Sequence, residues 1–354
     1  MTIKTPVKTS RFLRPTVSAS APDGTSNSTM VAAQAVLGLV EPQASGLGGG
    51  AFVVYYDAAT GQTTTFDARE KAPAAATEDR FLDDDGGSIG FTNAWQSGLS
   101  VGVPGTPRVM EVVHERYGRK PWPRLLQPAI SLAQSGFELT ERTSSQVAGL
   151  LEQNDSCEDR LFFRDPTAFA YFANPDCTAK PAGTLMRNKA YANTLKAIRK
   201  GGADAFYHGP IAEAIADAVN GDRLTEDNEM TVEDLAAYEV IERAPVCIEY
   251  RDHDVCGMGP PSSGALAVGQ ILGILENFDL AAMTEAQWAA VVNQALAQVE
   301  WSREHYTASL RHFEEAVALG TTGLVLDLRA NPGGLVVETL NAASAFLDDG
   351  VAFL

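Results

Sequence analysis

Residues 45–73 read SGLGGGAFVVYYDAATGQTTTFDAREKAP, and this stretch decides the fold that the sequence predicts. The runs at 52–56 and 63–67 are rich in aromatic, Val and Thr residues, which is typical of strands, and residues 57–62 between them are typical of a turn. The sequence therefore predicts a β-hairpin that follows a run of glycines and ends just before Arg69.

The glycine-rich segment at 46–50 has two interpretations. A phosphate-binding loop follows a strand and opens a helix, whose free backbone N–H groups face the anion. Here the helix-like apolar run at 30–40 precedes the glycines and a strand follows them, which is the reverse order. We therefore expect a tight, closely packed turn from helix to strand and no nucleotide binding.

Arg69 is the candidate binding residue of the hairpin. A guanidinium group can hold a carboxylate through two parallel hydrogen bonds, so an arginine at a strand end suits a substrate carboxylate. The alternative is an ordinary surface ion pair with a neighbouring Asp or Glu, and the residues alone leave both interpretations open.

The charge balance restricts the partners. The 354 residues include 27 Lys and Arg against 45 Asp and Glu, a formal net charge of −18. No basic stripe offsets this charge, so we expect neither nucleic acid nor an anionic membrane surface as a partner. No apolar run reaches the roughly 18 residues of a membrane span. No apolar segment follows the basic N-terminal residues as a secretory signal requires, and we expect no signal peptide.

The remaining motifs do not support a nucleophile or a metal site. GLSVG at 98–102 fits the nucleophile-elbow pattern around Ser100, but residues 92–97 are not the buried strand that this turn needs. The 5 histidines are scattered without ligand spacing. We expect no catalytic role for Ser100, no metal and no cofactor.

A set of motifs in a fixed order resembles the large subunit of γ-glutamyltransferase (glutathione hydrolase) over about residues 30–308, and we expect a large-subunit-like region at 30–310. The motifs are VAAQAVLGLVEPQASGLGGGAF (31–52), FDAREKAP (66–73), VGVPG (101–105), LQPA (126–129), DLAAY (234–238) and PPSSG (260–264). The resemblance implies an α/β fold, part of the four-layer αββα arrangement of N-terminal-nucleophile hydrolases. It also implies that Arg69 binds the α-carboxylate of γ-glutamyl substrates such as glutathione, and that no cofactor is needed.

In that family a threonine freed by self-cleavage attacks the γ-glutamyl amide, and its own α-amine can serve as the base. The Thr-Thr-His and Ser-Pro-Gly-Gly segments of the family's small subunit do not occur in this sequence. We therefore assign no catalytic residue and expect the chain to be inactive as it stands, with a non-catalytic truncated or fused remnant as the alternative. Unpaired sheet edges would favour self-association.

The two ends of the chain differ from this family. Residues 1–29 are polar and are expected to form a disordered extension. GLVLDLR at 323–329, followed by ANPGG and a helix-like run, resembles a unit of the tail-specific (carboxy-terminal processing) serine proteases. Residues 311–354 are therefore expected to form a foreign strand–helix, and a serine-type peptidase fragment is a further alternative. Thr321 lacks a following His, so we do not expect it to be the nucleophile.

The 4 cysteines form two local pairs. If residues 246–251 and 253–258 pair antiparallel about a turn near 251–252, Cys247 and Cys256 become cross-strand neighbours, close enough for a disulfide. Cys157 and Cys177 are a weaker candidate across a loop. The resemblance favours these bridges because many relatives look secreted or periplasmic, whereas the lack of a signal segment favours free thiols.

Overall fold

The computed structural model of the chain describes residues 25–153, 156–157, 164–222, 224–225, 229–280 and 282–302. Its helices are α1 (Thr25–Val40), α2 (Phe91–Trp95), α3 (Thr106–Tyr117), α4 (Trp122–Ser135), α5 (Glu141–Leu151), α6 (Pro166–Phe172), α7 (Lys189–Gly201), α8 (Asp204–Tyr207), α9 (Pro210–Asn220), α10 (Val232–Ala236), α11 (Gly264–Leu275) and α12 (Glu285–Ser302). Its strands are β1 (Ala51–Asp57), β2 (Gln62–Ala68), β3 (Phe137–Glu138), β4 (Leu185–Met186), β5 (Ile241–Arg243), β6 (Val246–Tyr250) and β7 (His253–Gly257).

Among the described residues the strands form three small sheets, and the chain divides into two compact units. One sheet has the order β1-β2-β5, and the pairs β3-β4 and β6-β7 are two-stranded. The first unit comprises Met1–Val53 and Phe66–Ile241, and the second comprises Val54–Thr65 and Glu242–Leu354. Helices and sheets are thus mixed along the chain, as the predicted α/β class requires.

The first unit is built around packed helices. Val31, Ala35 and Leu39 recur every four residues in α1, and all three are buried, so they form one apolar face. This helix packs on α3 and α4, and α4 packs in turn on α7. The side chain of Asn188 begins α7 by accepting a hydrogen bond from the backbone N–H of Tyr191. The result is the apolar core of this unit.

The second unit contains the β6–β7 hairpin and the helices α11 and α12. Tyr250 pairs with His253, so Arg251 and Asp252 alone form the turn. Their φ angles are 48° and 64°, which is the left-handed conformation that a two-residue type I′ turn requires at both positions. Leu275 of α11 packs with Val291 and Ala295 of α12 in a separate small core.

Several of the sequence predictions are confirmed. The hairpin predicted at 52–56 and 63–67 is β1–β2, and the glycine-rich segment connects α1 to β1 as a turn from helix to strand. The prediction of a disordered extension over residues 1–29 is wrong for residues 25–29, because the first helix begins at Thr25, before the apolar run that predicted it. In the part of the chain that is described, no helix is long and apolar enough to cross a membrane. Thr321 and the strand–helix predicted at 311–354 lie outside the described residues.

Candidate functional site

Arg69 lies directly after β2, and its backbone is held from both sides. Its N–H donates to Asp67 Oδ1 at 3.0 Å, and its carbonyl oxygen accepts a 2.7 Å hydrogen bond from the hydroxyl of Tyr238. The guanidinium Nη1 donates to Glu70 Oε2 at 2.7 Å, and the side chain is 57% exposed. A cation therefore projects from a fixed backbone with more than half of its side-chain surface exposed to solvent.

The glycine-rich turn lies against this arginine segment. Gly50 N–H donates to Glu70 Oε1 at 2.7 Å, so one carboxylate bridges the turn and Arg69. A Cβ atom on Gly50 would lie 2.6 Å from Glu70 Oε2 and 2.7 Å from the carbonyl oxygen of Ala68. Glycine is needed here for close approach of two backbone segments, and the left-handed conformation plays no part at this position.

The loop before α3 completes the other side of the cluster. The carbonyl oxygen of Gly49 accepts hydrogen bonds from Gly105 N–H at 3.0 Å and from the N–H and Oγ1 of Thr106 at 3.0 and 2.9 Å. A Cβ atom on Gly105 would overlap the carbonyl oxygen of Ala68 and the hydroxyl of Tyr238. The VGVPG motif therefore packs directly beneath the strand end that presents Arg69.

Helix α10 and the residues after it bind the segment that continues from Arg69. Asp234 Oδ1 accepts a 2.9 Å hydrogen bond from Ala74 N–H, and Lys71 Nζ donates to the carbonyl oxygen of Glu239 at 3.0 Å. A capping box begins α10, with Thr231 and Asp234 each accepting from the other's backbone N–H. The DLAAY motif thus holds residues 69–74 at two points, through Asp234 and Tyr238, and Glu239 directly after the motif adds a third.

Tyr238 rests on a second tyrosine. Its ring stacks on that of Tyr207 with the centroids 5.8 Å apart and an interplanar angle of 10°. Tyr207 is fully buried and donates its hydroxyl to the carbonyl oxygen of Pro104 at 2.7 Å. Burial raises the pKa of Tyr238, and the negative charges of Asp67 and Glu70 raise it further, so its hydroxyl stays protonated and remains a donor at neutral pH.

The arrangement suits the binding of an anion. Glu70 engages one nitrogen of the Arg69 guanidinium, and a planar guanidinium has further N–H donors with which to meet a carboxylate. Sequence reasoning identified Arg69 but missed Asp67, Glu70 and Tyr238 as its supports. Glu70 and Tyr238 belong to motifs that the sequence showed, but only the tertiary contacts reveal what they do.

The other sequence candidates do not join this cluster. Ser100 lies in a 3₁₀ turn (Gly98–Ser100) after α2, and its Oγ donates to the carbonyl oxygens of Trp95 and Ser97, both at 3.0 Å. The strand that a nucleophile elbow needs is absent before it, as predicted. Within the described ranges, no group of three or more His, Cys, Asp or Glu side chains could hold a metal ion.

Two family models match the chain. The model described as gamma-glutamyltranspeptidase matches residues 21–316, and the model described as peptidase family S41 matches residues 295–354. These matches agree with the two resemblances that the sequence motifs indicated.

Curated relatives match over most of the chain. The glutathione hydrolase proenzyme of Bacillus subtilis (strain 168) is 34% identical over 73% of this chain, and that of Escherichia coli (strain K12) is 37% identical over 71% of it. The matched regions are 42% and 41% of those proteins, so the chain spans about two fifths of the length of these relatives.

A solved structure agrees in fold. The γ-glutamyltranspeptidase of Helicobacter pylori superposes with a TM-score of 0.72 at 28% identity, covering 89% of this chain and 94% of the solved chain.

Proposed function

The chain belongs to the γ-glutamyltranspeptidase family, and from this premise we propose that Arg69 anchors the α-carboxylate of γ-glutamyl compounds such as glutathione. The observation that carries the proposal is the exposed guanidinium on a backbone held through both its N–H and its carbonyl oxygen. A carboxylate that binds this guanidinium gains two charge-assisted hydrogen bonds, and little backbone entropy is lost because the backbone of Arg69 is already held.

The proposed role is that of the substrate-holding part of an enzyme for γ-glutamyl transfer or hydrolysis. In this proposal the described residues form part of a four-layer αββα fold, and residues 311–354 are a segment of different origin. The nucleophile would be an N-terminal threonine, but the sequence lacks the Thr-Thr-His segment that would supply it. We therefore propose that the 354-residue polypeptide by itself binds γ-glutamyl compounds without turning them over.

Calorimetric titration with L-glutamate tests the binding proposal. Arg69→Ala should weaken binding roughly 10- to 100-fold, because hydrogen bonds to charged groups contribute about 1.5–3 kcal/mol. Arg69→Lys should restore only part of the affinity, because an ammonium group cannot form the planar fork. Binding of 4-aminobutanoate, which lacks the α-carboxylate, should be weak and insensitive to both substitutions.

Arg142→Ala is the matched control. Arg142 is 55% exposed and is also paired with a glutamate, Glu41, at 3.9 Å. Its loss should leave L-glutamate affinity unchanged. Equal affinities of wild type and Arg69→Ala for L-glutamate would refute the proposal.

Turnover is tested separately with a γ-glutamyl anilide. No release of the chromophore above background is expected from the 354-residue polypeptide, because loss of even one oxyanion donor costs about 10²–10³ in rate and here the nucleophile is missing too. Release that Thr321→Ala abolishes would contradict this part of the proposal.

A further inference from the structure

We infer that Tyr238 is a positioning residue for carboxylate binding, which acts by holding the backbone carbonyl of Arg69 in place. The inference rests on the proposed function of Arg69 and adds a residue 169 positions away in the sequence. Tyr238 is not proposed to touch the substrate; its effect on binding passes entirely through Arg69.

The first support is the geometry of the Arg69 peptide groups. The hydroxyl of Tyr238 donates to the carbonyl oxygen of Arg69 at 2.7 Å, and Asp67 Oδ1 accepts from its N–H at 3.0 Å. Arg69 follows the last residue of β2, so the sheet ladder no longer fixes its backbone. These two side-chain hydrogen bonds take over that role at the residue whose guanidinium must point at the ligand.

The second support is that the donor itself cannot shift. The ring of Tyr238 is buried, it stacks on the ring of Tyr207, and the ammonium group of Lys71 lies 5.0 Å from its centroid. Gly105 packs against the hydroxyl of Tyr238 so closely that a Cβ atom at position 105 would overlap it. A small rearrangement of the ring therefore cannot replace the hydrogen bond to Arg69.

Tyr238→Phe is the informative substitution because it keeps the ring and its stacking and removes only the hydroxyl. The carbonyl oxygen of Arg69 loses its fixed donor, and the strand end gains freedom that ligand binding must then restrict. We expect affinity for L-glutamate to fall about five- to tenfold, the effect of one lost hydrogen bond.

Tyr191→Phe is the matched control. Tyr191 is also a largely buried tyrosine, and its hydroxyl donates to the carbonyl oxygen of Ala35 at 2.8 Å, away from the Arg69 cluster. Its loss should cost similar stability but leave L-glutamate affinity unchanged. Equal losses of affinity in the two variants would mean a general structural effect and would overturn the inference.

A double variant and a spectroscopic measurement separate positioning from packing. Because Tyr238 acts through Arg69, the variant Arg69→Ala/Tyr238→Phe should bind L-glutamate no more weakly than Arg69→Ala alone. In the unliganded protein, the Nε–Hε group of Arg69 should show a lower NMR order parameter in Tyr238→Phe than in wild type or Tyr191→Phe. Additive losses of affinity, or an unchanged order parameter, would contradict the inference.

A further test, by ¹⁹F NMR, keeps the hydroxyl group of Tyr238 in place. With 3-fluorotyrosine incorporated at position 238, its ¹⁹F resonance should shift on titration with L-glutamate, and the same label at position 191 should not respond. Failure of the proposed function would show as undiminished binding by Arg69→Ala. Failure of the inference alone would show as weak binding by Arg69→Ala together with wild-type affinity in Tyr238→Phe and no ¹⁹F shift at position 238.

Discussion

Glu70 joins Gly50 to the arginine segment with its two carboxylate oxygens. Oε1 accepts a 2.7 Å hydrogen bond from Gly50 N–H, and Oε2 accepts one of 2.7 Å from Arg69 Nη1. The conformation of the glycine-rich turn and the direction of the guanidinium are therefore linked through one side chain. Any displacement of this carboxylate should affect both stability and ligand binding.

Gly50→Ala should destabilise the protein by about 1–3 kcal/mol, the cost of forcing extra volume into a packed site. The new methyl group would lie 2.6 Å from Glu70 Oε2 and 2.8 Å from Glu70 N, so the carboxylate that contacts Arg69 and the neighbouring backbone must shift. Affinity for L-glutamate should fall as well. Urea denaturation and calorimetry measure the two effects.

Gly48→Ala is the control for this substitution, because a Cβ atom there meets nothing within 4 Å. Its free energy of unfolding should stay within about 0.5 kcal/mol of wild type. Equal stabilities of the two alanine variants would show that the close approach at Gly50 does not restrict the residue.

Tyr207→Phe should lower the free energy of unfolding by about 1–3 kcal/mol, because it removes the partner of two buried backbone groups. The Tyr207 hydroxyl donates to the carbonyl oxygen of Pro104 at 2.7 Å and accepts from Arg108 N–H at 3.2 Å. Tyr56→Phe, at a side chain that is 62% exposed, should change stability by less than about 0.5 kcal/mol. Thermal unfolding that does not distinguish the two variants would argue against this role of the Tyr207 hydroxyl.

The sequence was sufficient for features that depend on local pattern. The enrichment in aromatic, Val and Thr residues predicted β1 and β2 nearly to their ends, and the symmetric positions about residues 251–252 predicted the pairing of Cys247 with Cys256. Both features are hairpins, in which the pairing partners are close in sequence and the turn sets the register. Arg69 was found because its strand-end motif is also a local pattern.

Local sequence patterns could not predict the contacts that hold the Arg69 segment, because these contacts join distant parts of the chain. Tyr238 contacts a residue 169 positions away, and Asp234 contacts Ala74, which is 160 positions away. No periodicity encodes these pairs; they follow from how α10 packs on the segment after β2. Gly50 was also beyond sequence reasoning. Only the structure shows that Glu70 lies so close to Gly50 that a side chain does not fit there.

The capping box of α10 should make stability depend on acid pH. Partial burial acts to raise the pKa of the Asp234 carboxyl group, but hydrogen bonds from the backbones of Thr231 and Ala74 and from the Thr231 hydroxyl outweigh it and lower the pKa. The ionised form is thus favoured in the folded state. Its contribution is fully present above the ordinary carboxyl pKa of about 4 and is lost as the pH falls through the lowered folded value.

Asp234→Asn should therefore cost about 0.5–1 kcal/mol at pH 7, in the range of helix-cap substitutions and reduced by solvent screening of a mostly exposed group. The difference from wild type should be smaller at about pH 2 than at pH 7, because the carboxyl group of the wild type is progressively protonated as the pH falls through its lowered folded pKa. Urea denaturation at both pH values measures it, with Asp84→Asn at an exposed turn residue as the control. A stability difference that persists unchanged in acid would count against the ionised carboxylate as the cause.

Both cysteine pairs that the sequence offered as candidates are disulfide-bonded, and the two bridges close loops of different length. Cys247 and Cys256 are cross-strand partners with their Cα atoms 4.1 Å apart, and the Cα atoms of Cys157 and Cys177 are 5.5 Å apart. The sequence separations are 9 and 20 residues. In the chain-entropy description, a bridge stabilises the fold by restricting the unfolded chain, and a longer loop gives the larger effect.

Replacing either pair by serines should lower the free energy of unfolding by about 3 kcal/mol, with the loss about 0.6 kcal/mol larger for Cys157→Ser/Cys177→Ser. The β6–β7 hairpin should keep its register without its bridge, because the turn at Arg251 and Asp252 fixes it independently. Urea denaturation measures the losses, and cross-strand NOEs report the register.

The control is full reduction of the disulfides. The free energies of unfolding of the serine variants and the wild type should then agree within about 0.5 kcal/mol, since the unfolded chains are equally unrestricted. A serine variant that is as stable as the oxidised wild type would show that its bridge does not restrict the unfolded chain.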